Sequence, residues 1–274
     1  MIIIKILIED TTDDNRLHNE HGLSLYIETD EQRILFDVGA SPLFVENAKI
    51  MGVDLAKIDS VVISHGHNDH GGGIEAFLKE NSNALIYIQR HAFDPHFSKR
   101  GGKSVNIGLD PNLLTNSRIT IIDDDYKIAE NILIFSQVKG THYYPSMNSN
   151  LYRYHDNEML LDDFQHELNL IIKNQQNIVL LIGCAHQGVI NIIDHVSQHL
   201  NMKPNIVIGG FHMSSQALGI SESSETIRSI AQELNKTNSC FYTGHCTGNV
   251  AFQIMKKLMG NQLQKITTGT TLIF

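Results

Sequence analysis

Ser64-His65-Gly66-His67-Asn68-Asp69-His70-Gly71-Gly72-Gly73 stands directly after the apolar run 61–63, and its reading decides how the rest of the chain is understood. Four side chains able to bind a metal occupy the six positions from His65 to His70. In a tight loop at a strand end such side chains can fan toward one point, and the flanking glycines permit backbone angles that a strand or helix forbids. Imidazoles combined with a carboxylate suit zinc, iron or manganese. The plain alternative is a solvated polar loop, and composition weighs against it. With 15 histidines in 274 residues, an HxHxDH pattern arises by chance in only about 0.003 of such chains.

One loop does not complete a two-ion site, so further ligands must come from elsewhere. Three histidines share one setting: His186 in Gly183-Cys184-Ala185-His186 after 178–182, His212 in Gly209-Gly210-Phe211-His212 after 206–208, and His245 in Thr243-Gly244-His245-Cys246 after 240–242. Each lies just past a strand-like run, as the first cluster does. If these strands run side by side, their loops open on a common edge where side chains can converge on ions. A lone histidine at a strand end is more often a hydrogen-bonded loop residue than a ligand. The first cluster turns that weighting around for His186 and His245 and leaves His212 open. Cys184 and Cys246 read first as small packing residues, with Cys184 the stronger exception.

Apolar runs of strand length recur at 2–8, 23–27, 34–36, 61–63, 85–88 and 132–135, then at 168–172, 178–182, 206–208, 240–242 and near 266–274. Helical patterns cover 42–51, with proline in its first turn, 73–80, 189–200, 222–234 with Ser221 and Ser224 as caps, and 250–258. Early strands joined by turns, followed by strands alternating with helices, predict two sheets flanked by helices in one domain over 1–274. The least regular stretches, 91–116 and 139–163, are rich in Gly, Pro, Asn, Ser and Tyr, a composition typical of lids or substrate-binding loops. Tyr143, Tyr144, Tyr152 and Tyr154 in the second could stack on a flat heterocycle, or serve plain packing.

A formal charge of −9 with no basic run argues against a nucleic-acid groove. The apolar opening is too short for a signal core or a membrane span, so it reads as a first strand. Cys184, Cys240 and Cys246 are odd in number and lack CxxC spacing, which suits a reducing cytoplasm. The expected partner is a small-molecule substrate, with neither nucleic acid nor membrane, and self-association is left open.

His65-Gly66-His67-Asn68-Asp69-His70 resembles the HxHxDH signature of the metallo-β-lactamase superfamily, and Phe36-Asp37-Val38-Gly39 resembles its upstream Asp-bearing strand end. Glu20-His21-Gly22-Leu23-Ser24, Gly183-Cys184-Ala185-His186, Gly209-Gly210-Phe211-His212 and His245-Cys246-Thr247-Gly248 together resemble one subgroup. Its named member is a dihydropterin ribofuranosylaminobenzene phosphate synthase of methanopterin biosynthesis. The matches run from Glu20 to Gly248, nearly the whole chain.

This resemblance implies an α+β protein, an αββα sandwich of two mixed sheets flanked by helices, with its metal site at one edge. It assigns His65 and His67 to one ion and Asp69 and His70 to another, with His186 and His245 closing the two shells. The chain departs from the common pattern in lacking a clear Asp at the later bridging position, near which Cys184 or His186 falls. That leaves the bridging ligand, and the choice between one ion and two, open. Glu20 and His21 are implied to lie near substrate, and Asp37 to orient the ligand loop by hydrogen bonding.

The expected cofactor is one or two divalent ions, zinc first, then iron or manganese. Such an ion lowers the pKa of water to about 7 and polarises carbonyl or phosphoryl oxygen. Asp69 is expected to orient or deprotonate the water, and His212 to donate to an oxyanion or phosphate. The first functional expectation is a metal-dependent hydrolase of a small ester or phosphoester. The alternative is a pterin-transferring synthase in which metal assists departure of phosphate or pyrophosphate. A non-catalytic metal-binding protein ranks third. Fold and ligands alone do not separate the first two. Oxygen-reducing diiron relatives carry Glu where His67 stands, so redox use is not expected.

Overall fold

In the computed structural model, which describes residues 1–274, the strand-like runs pair into two seven-stranded sheets. The first has the order Thr271–Ile273, Ile3–Ile8, Ser24–Glu28, Arg33–Phe36, Ser60–Val62, Leu85–Gln89, Ile119–Ile122. The second runs Leu263–Lys265, Cys240–Thr243, Ile206–Gly209, Ile178–Leu181, Asn169–Lys173, Ile132–Phe135, Tyr126–Ala129. Both are mixed. Arg33–Phe36 through Ile119–Ile122 are parallel in the first, and Ile178–Leu181 through Leu263–Lys265 are parallel in the second.

Alternation along each strand sends side chains to opposite faces and so builds layers. Ile4, Ile6, Ile34, Phe36 and Val62 meet Leu170, Ile172, Val179, Leu181 and Ile208 in a core between the sheets. The outer face of the first sheet, including Leu35, Val61 and Ile63, packs under the helices Leu43–Ile50 and Ile74–Glu80. Leu180, Ile182, Val207 and Phe241 pack under Val189–Gln198, Ser224–Asn235 and Asn249–Met259. The result is the expected αββα sandwich. No helix is long and apolar enough to cross a membrane.

Three local expectations need correction. The final strand expected near 266–274 is only Thr271–Ile273, and a separate strand, Leu263–Lys265, precedes it in the other sheet, so the C-terminal segment crosses from one sheet to the other. The helix expected after Ser221 and Ser224 is instead capped by Ser223, whose Oγ accepts from Thr226 N at 3.0 Å. The two irregular stretches are not open loops. They supply His96–Arg100, Lys103–Asn106, Leu151–His155 and Glu158–Leu161 to a separate four-stranded sheet. Each hairpin turns on two residues with positive φ, Gly101 and Gly102 (54° and 78°) or Asp156 and Asn157 (50° and 65°), which matches the twist of the flanking strands. Lys103–Asn106 and Glu158–Leu161 are exposed along their whole length, so the usual burial signal is missing from their sequence.

Parallel pairing decides where the chemistry sits. Within each sheet the parallel strands end on one edge, so the loops after Phe36, Val62, Leu181, Gly209 and Thr243 open together. Antiparallel neighbours bring the end of Ile3–Ile8 and the start of Asn169–Lys173 to the same edge. Gly209 ends its strand at φ +143°, and a Cβ there would run into the Ile182 carbonyl. Gly209→Ala is expected to destabilise the fold by about 2 kcal/mol or more. Urea denaturation reads this as a lowered midpoint, and an unchanged midpoint contradicts the packing described.

Candidate metal centre

At that edge four imidazoles face one another in pairs. His65 Nε2 lies 3.3 Å from His186 Nε2, and His70 Nε2 lies 3.2 Å from His245 Nε2. The opposite nitrogens are committed. His70 Nδ1 is 2.7 Å from Asp37 Oδ2, and His245 Nδ1 is 2.7 Å from Asp10 Oδ1. His186 Nδ1 is 3.1 Å from Asn148 Oδ1, while Asn148 Nδ2 donates to the His186 carbonyl at 2.8 Å. Ser64 Oγ donates to Asp37 Oδ2 at 2.8 Å, which leaves it to accept from His65 Nδ1 at 2.8 Å. The proton of the His65, His70 and His186 rings therefore belongs on Nδ1, leaving their Nε2 lone pairs facing the site, whereas without an ion His245 also carries a proton on Nε2, toward Asp69 and His70. The bare lone pairs of His65 and His186 at this spacing repel, whereas a tetrahedral zinc-type ion spaces its nitrogen ligands by about 3.3 Å.

The remaining donors complete two groups, each with its atoms within 4.8 Å of one another: His65, His67 and His186, and Asp69, His70, Cys184 and His245. Asp69 Oδ2 is 3.4 Å from His245 Nε2 and 3.6 Å from His70 Nε2. Cys184 Sγ is 3.2 Å from His70 Nε2. His67 Nε2 and both ring nitrogens of His212 are buried without a hydrogen-bond partner, an arrangement that costs about 1–3 kcal/mol per group in an apo protein. The His212 ring lies 4.1 Å from that of His186. This donor chemistry fits divalent ions bound by nitrogen, oxygen and sulfur.

Strained turns hold the loops in place. Asp37, Ala185, His212 and His245 all have positive φ, between 45° and 61°, although none is glycine. Such conformations persist where surrounding contacts fix them, and they concentrate at functional sites. Buried carboxylates supply those contacts. Asp37 accepts from Ser64 N at 2.7 Å, Glu9 from His245 N at 2.5 Å, and Glu167 from His186 N at 2.6 Å and Gln187 N at 3.0 Å.

Electrostatics follows burial. Desolvation, with neighbouring histidines adding to it, holds His65, His67 and His186 well below the usual imidazole range, so they stay neutral. Burial pulls His245 the same way, but the Asp10 carboxylate and Asp69 outweigh it and raise its pKa. Burial also opposes ionisation of Asp69, yet His70, His245 and His21 hold it well below the carboxylate range. In the absence of an ion, burial pushes the Cys184 thiol up.

The family model for the metallo-β-lactamase superfamily matches residues 19–162. The chain belongs to the metallo-β-lactamase superfamily. It is an enzyme of that superfamily, and its relatives agree over nearly its full length. An uncharacterised protein of Methanocaldococcus jannaschii is 27% identical over 269 residues, covering 97% of each chain. The 7,8-dihydropterin-6-methyl-4-(β-D-ribofuranosyl)-aminobenzene-5′-phosphate synthase of the same organism is 26% identical, over 93% of this chain and 90% of its own. The crystal structure of a metal-dependent hydrolase of the β-lactamase superfamily superposes with a TM-score of 0.83 at 26% identity, covering 100% of this chain and 99% of that one.

Within the metallo-β-lactamase frame, His65, His67, Asp69, His70, Cys184, His186, His212 and His245 are brought together, with Asp37 behind His70. His21 stands half-exposed at the mouth, its Nδ1 2.9 Å from Asp10 and its Nε2 3.5 Å from Asp69. Glu20 is used differently: its Oε1 accepts from Ala40 N and Ser41 N, binding a neighbouring turn. The four tyrosines form no common shelf. Tyr143 stacks on His142 and packs on the core, Tyr144 and Tyr154 are exposed, and Tyr152 lies under Lys99 Nζ at 3.9 Å.

Sequence reasoning missed Glu9, Asp10, Ser64, Asn148 and Glu167, which orient the ligand-type residues from ordinary-looking positions. It also missed His96, Asp162 and His166, a buried group beside His67. This group is internally satisfied. Gly66 N donates to His166 Nδ1 at 2.9 Å, so His166 carries its proton on Nε2, facing Asp162 at 3.3 Å, and Asp162 also meets His96 Nδ1 at 2.8 Å. It ties the four-stranded sheet to the His65–His67 loop. Only the dipeptide turns of the two hairpins signalled that this region was ordered.

Burial pushes the Glu167 carboxyl up to about 7 from its ordinary 4.5, against the opposing pull of the Gln187 and His186 N–H groups. A raised folded-state pKa gives stability that is fully present below pH 4.5 and lost as pH rises through about 7. Glu167→Gln is therefore expected to gain roughly 3 kcal/mol on the native chain across that interval. Denaturation of both metal-free proteins at several pH values measures it, and a pH-independent difference contradicts the assignment.

Proposed function

We propose that this enzyme is a metal-dependent hydrolase of small ester or phosphoester substrates, holding two divalent ions, zinc foremost. The observation that carries this reading is the paired convergence of His65 with His186 and His70 with His245, every Nδ1 being committed elsewhere. His65, His67 and His186 would hold one ion, and Asp69, His70 and His245 the other. Divalent ions held there supply Lewis acidity and make water a nucleophile at neutral pH.

The chain's own residues then divide the work. Asp69, whose Oδ2 faces His21 and His245, orients the water and takes its proton. His212, with both ring nitrogens unpaired, donates to the oxyanion that develops as the bond breaks. A cavity of about 380 Å³ opens beside His21 and His245 and is lined by Ser214, Ser215, Thr247 and Lys265. Glu9 and Asp10 line it as well, so its polarity rather than a positive charge suits a polar substrate better than an apolar ester.

One observation favours a second reading, pterin transfer: the likeness to the Methanocaldococcus jannaschii synthase spans 90% of that enzyme's length. Attack would then come from an aromatic amine rather than water. Purified protein is expected to contain stoichiometric divalent metal, reduced in His65→Ala. Asp69→Asn is expected to lower kcat by about 100-fold or more on phosphodiester or ester substrates. Metal content and product analysis check both points. Stoichiometric metal with amine as the sole acceptor overturns hydrolysis in favour of transfer, and a metal-free folded protein overturns both.

A further inference from the structure

We propose that Cys184 binds as a thiolate shared between the two ions, in the place a bridging carboxylate would fill. The inference rests on the two-ion reading above. Cys184 Sγ has its donor atom within 4.8 Å of Asp69, His70 and His245 on one side and of His186 and His212 on the other, so it belongs to groups from both halves of the site. His186, in turn, is paired with His65 and His67. Ala185, with φ +58°, turns the backbone between the two ligand-type residues.

Both polar neighbours of that sulfur are groups of the site itself. Cys246 Sγ, the other buried thiol, points to the Cys184 carbonyl at 3.6 Å and accepts from His212 N at 3.3 Å. Cys184 Sγ lies 3.2 Å from His70 Nε2, a nitrogen that carries no proton when Nδ1 donates to Asp37, and its other polar neighbour is the Cys246 thiol. A buried thiol giving its S–H to His70 is the plain alternative. On ion binding the Cys184 proton leaves to solvent and two sulfur–metal bonds form, with no change of oxidation state.

Two chemical consequences follow. Sulfur selects zinc, cobalt(II) or iron(II) over magnesium and calcium, which prefer oxygen. The thiolate and the Asp69 carboxylate together leave two positive charges on a pair of dications, a field that draws an anionic substrate.

Cobalt(II)-loaded protein tests the ligand and zinc-edge X-ray absorption tests the sharing. The native chain and Cys246→Ser are expected to show a near-ultraviolet sulfur-to-cobalt charge-transfer band, and Cys184→Ser and Cys184→Asp to lack it while Cys184→Asp still binds cobalt. The absorption fine structure of the di-zinc native protein is expected to give one sulfur neighbour per zinc. Cobalt binding by the native chain without the band overturns the proposal, as does a band that survives in Cys184→Ser. An average of half a sulfur per zinc overturns the sharing. Failure of the native chain to bind either metal overturns the two-ion reading as well. Should Cys184→Ser not fold, the native spectra alone decide.

Discussion

The carboxylate of Asp37 is the contact on which both halves of the site depend. It is fully buried and accepts three hydrogen bonds, from Ser64 N, from Ser64 Oγ and from His70 Nδ1. Its grip on His70 is direct. Its grip on His65 passes through Ser64 Oγ, which can accept from His65 only because its own proton goes to Asp37. One side chain therefore sets the tautomer of a histidine in each converging pair, and a ring with its tautomer fixed offers one lone pair in one direction. Asp37 reaches this position from a left-handed backbone at φ 61°, just past the end of its strand.

The same device recurs across the sandwich. Glu9 leaves the end of a strand in the first sheet to receive the backbone N–H of His245, which follows the strand Cys240–Thr243 of the second sheet. Glu167 receives the N–H of His186 from the neighbouring antiparallel strand. Each buried carboxylate costs desolvation and is retained because fixed donors meet it. Together with Asp10 and Asn148 behind His245 and His186, they make a scaffold that holds the converging nitrogens in place. The four-stranded sheet joins this scaffold through His96, Asp162 and His166.

The layered fold was legible because its strands are buried on both faces and its helices on one, so apolar runs mark them plainly. The inner ring of the site was legible for a related reason: His65, His67, Asp69 and His70 sit in one short loop, and His186, His212 and His245 each follow a strand. Glu9, Asp10, Asn148 and Glu167 carried no such mark. Their roles depend on which strand lies beside which, information that arises only on pairing. The hairpins 96–106 and 151–161 resemble loops in sequence because their outer strands, Lys103–Asn106 and Glu158–Leu161, are wholly exposed, although Gly101-Gly102 and Asp156-Asn157 are turn dipeptides. Glu20, which the resemblance implies beside His21 near substrate, spends its Oε1 on the backbone N–H groups of Ala40 and Ser41, a use that no sequence pattern marks.

The chemistry of the site requires the four Nε2 atoms to meet around ions rather than around one another. Anomalous diffraction at the zinc edge from crystals of the zinc-loaded protein measures that most directly. Two peaks are expected, one among His65, His67 and His186 and one among Asp69, His70 and His245, with Cys184 between them. Anomalous density confined to the His96, Asp162 and His166 group, or none within bonding distance of His65 and His70 in folded, zinc-exposed protein, would contradict it.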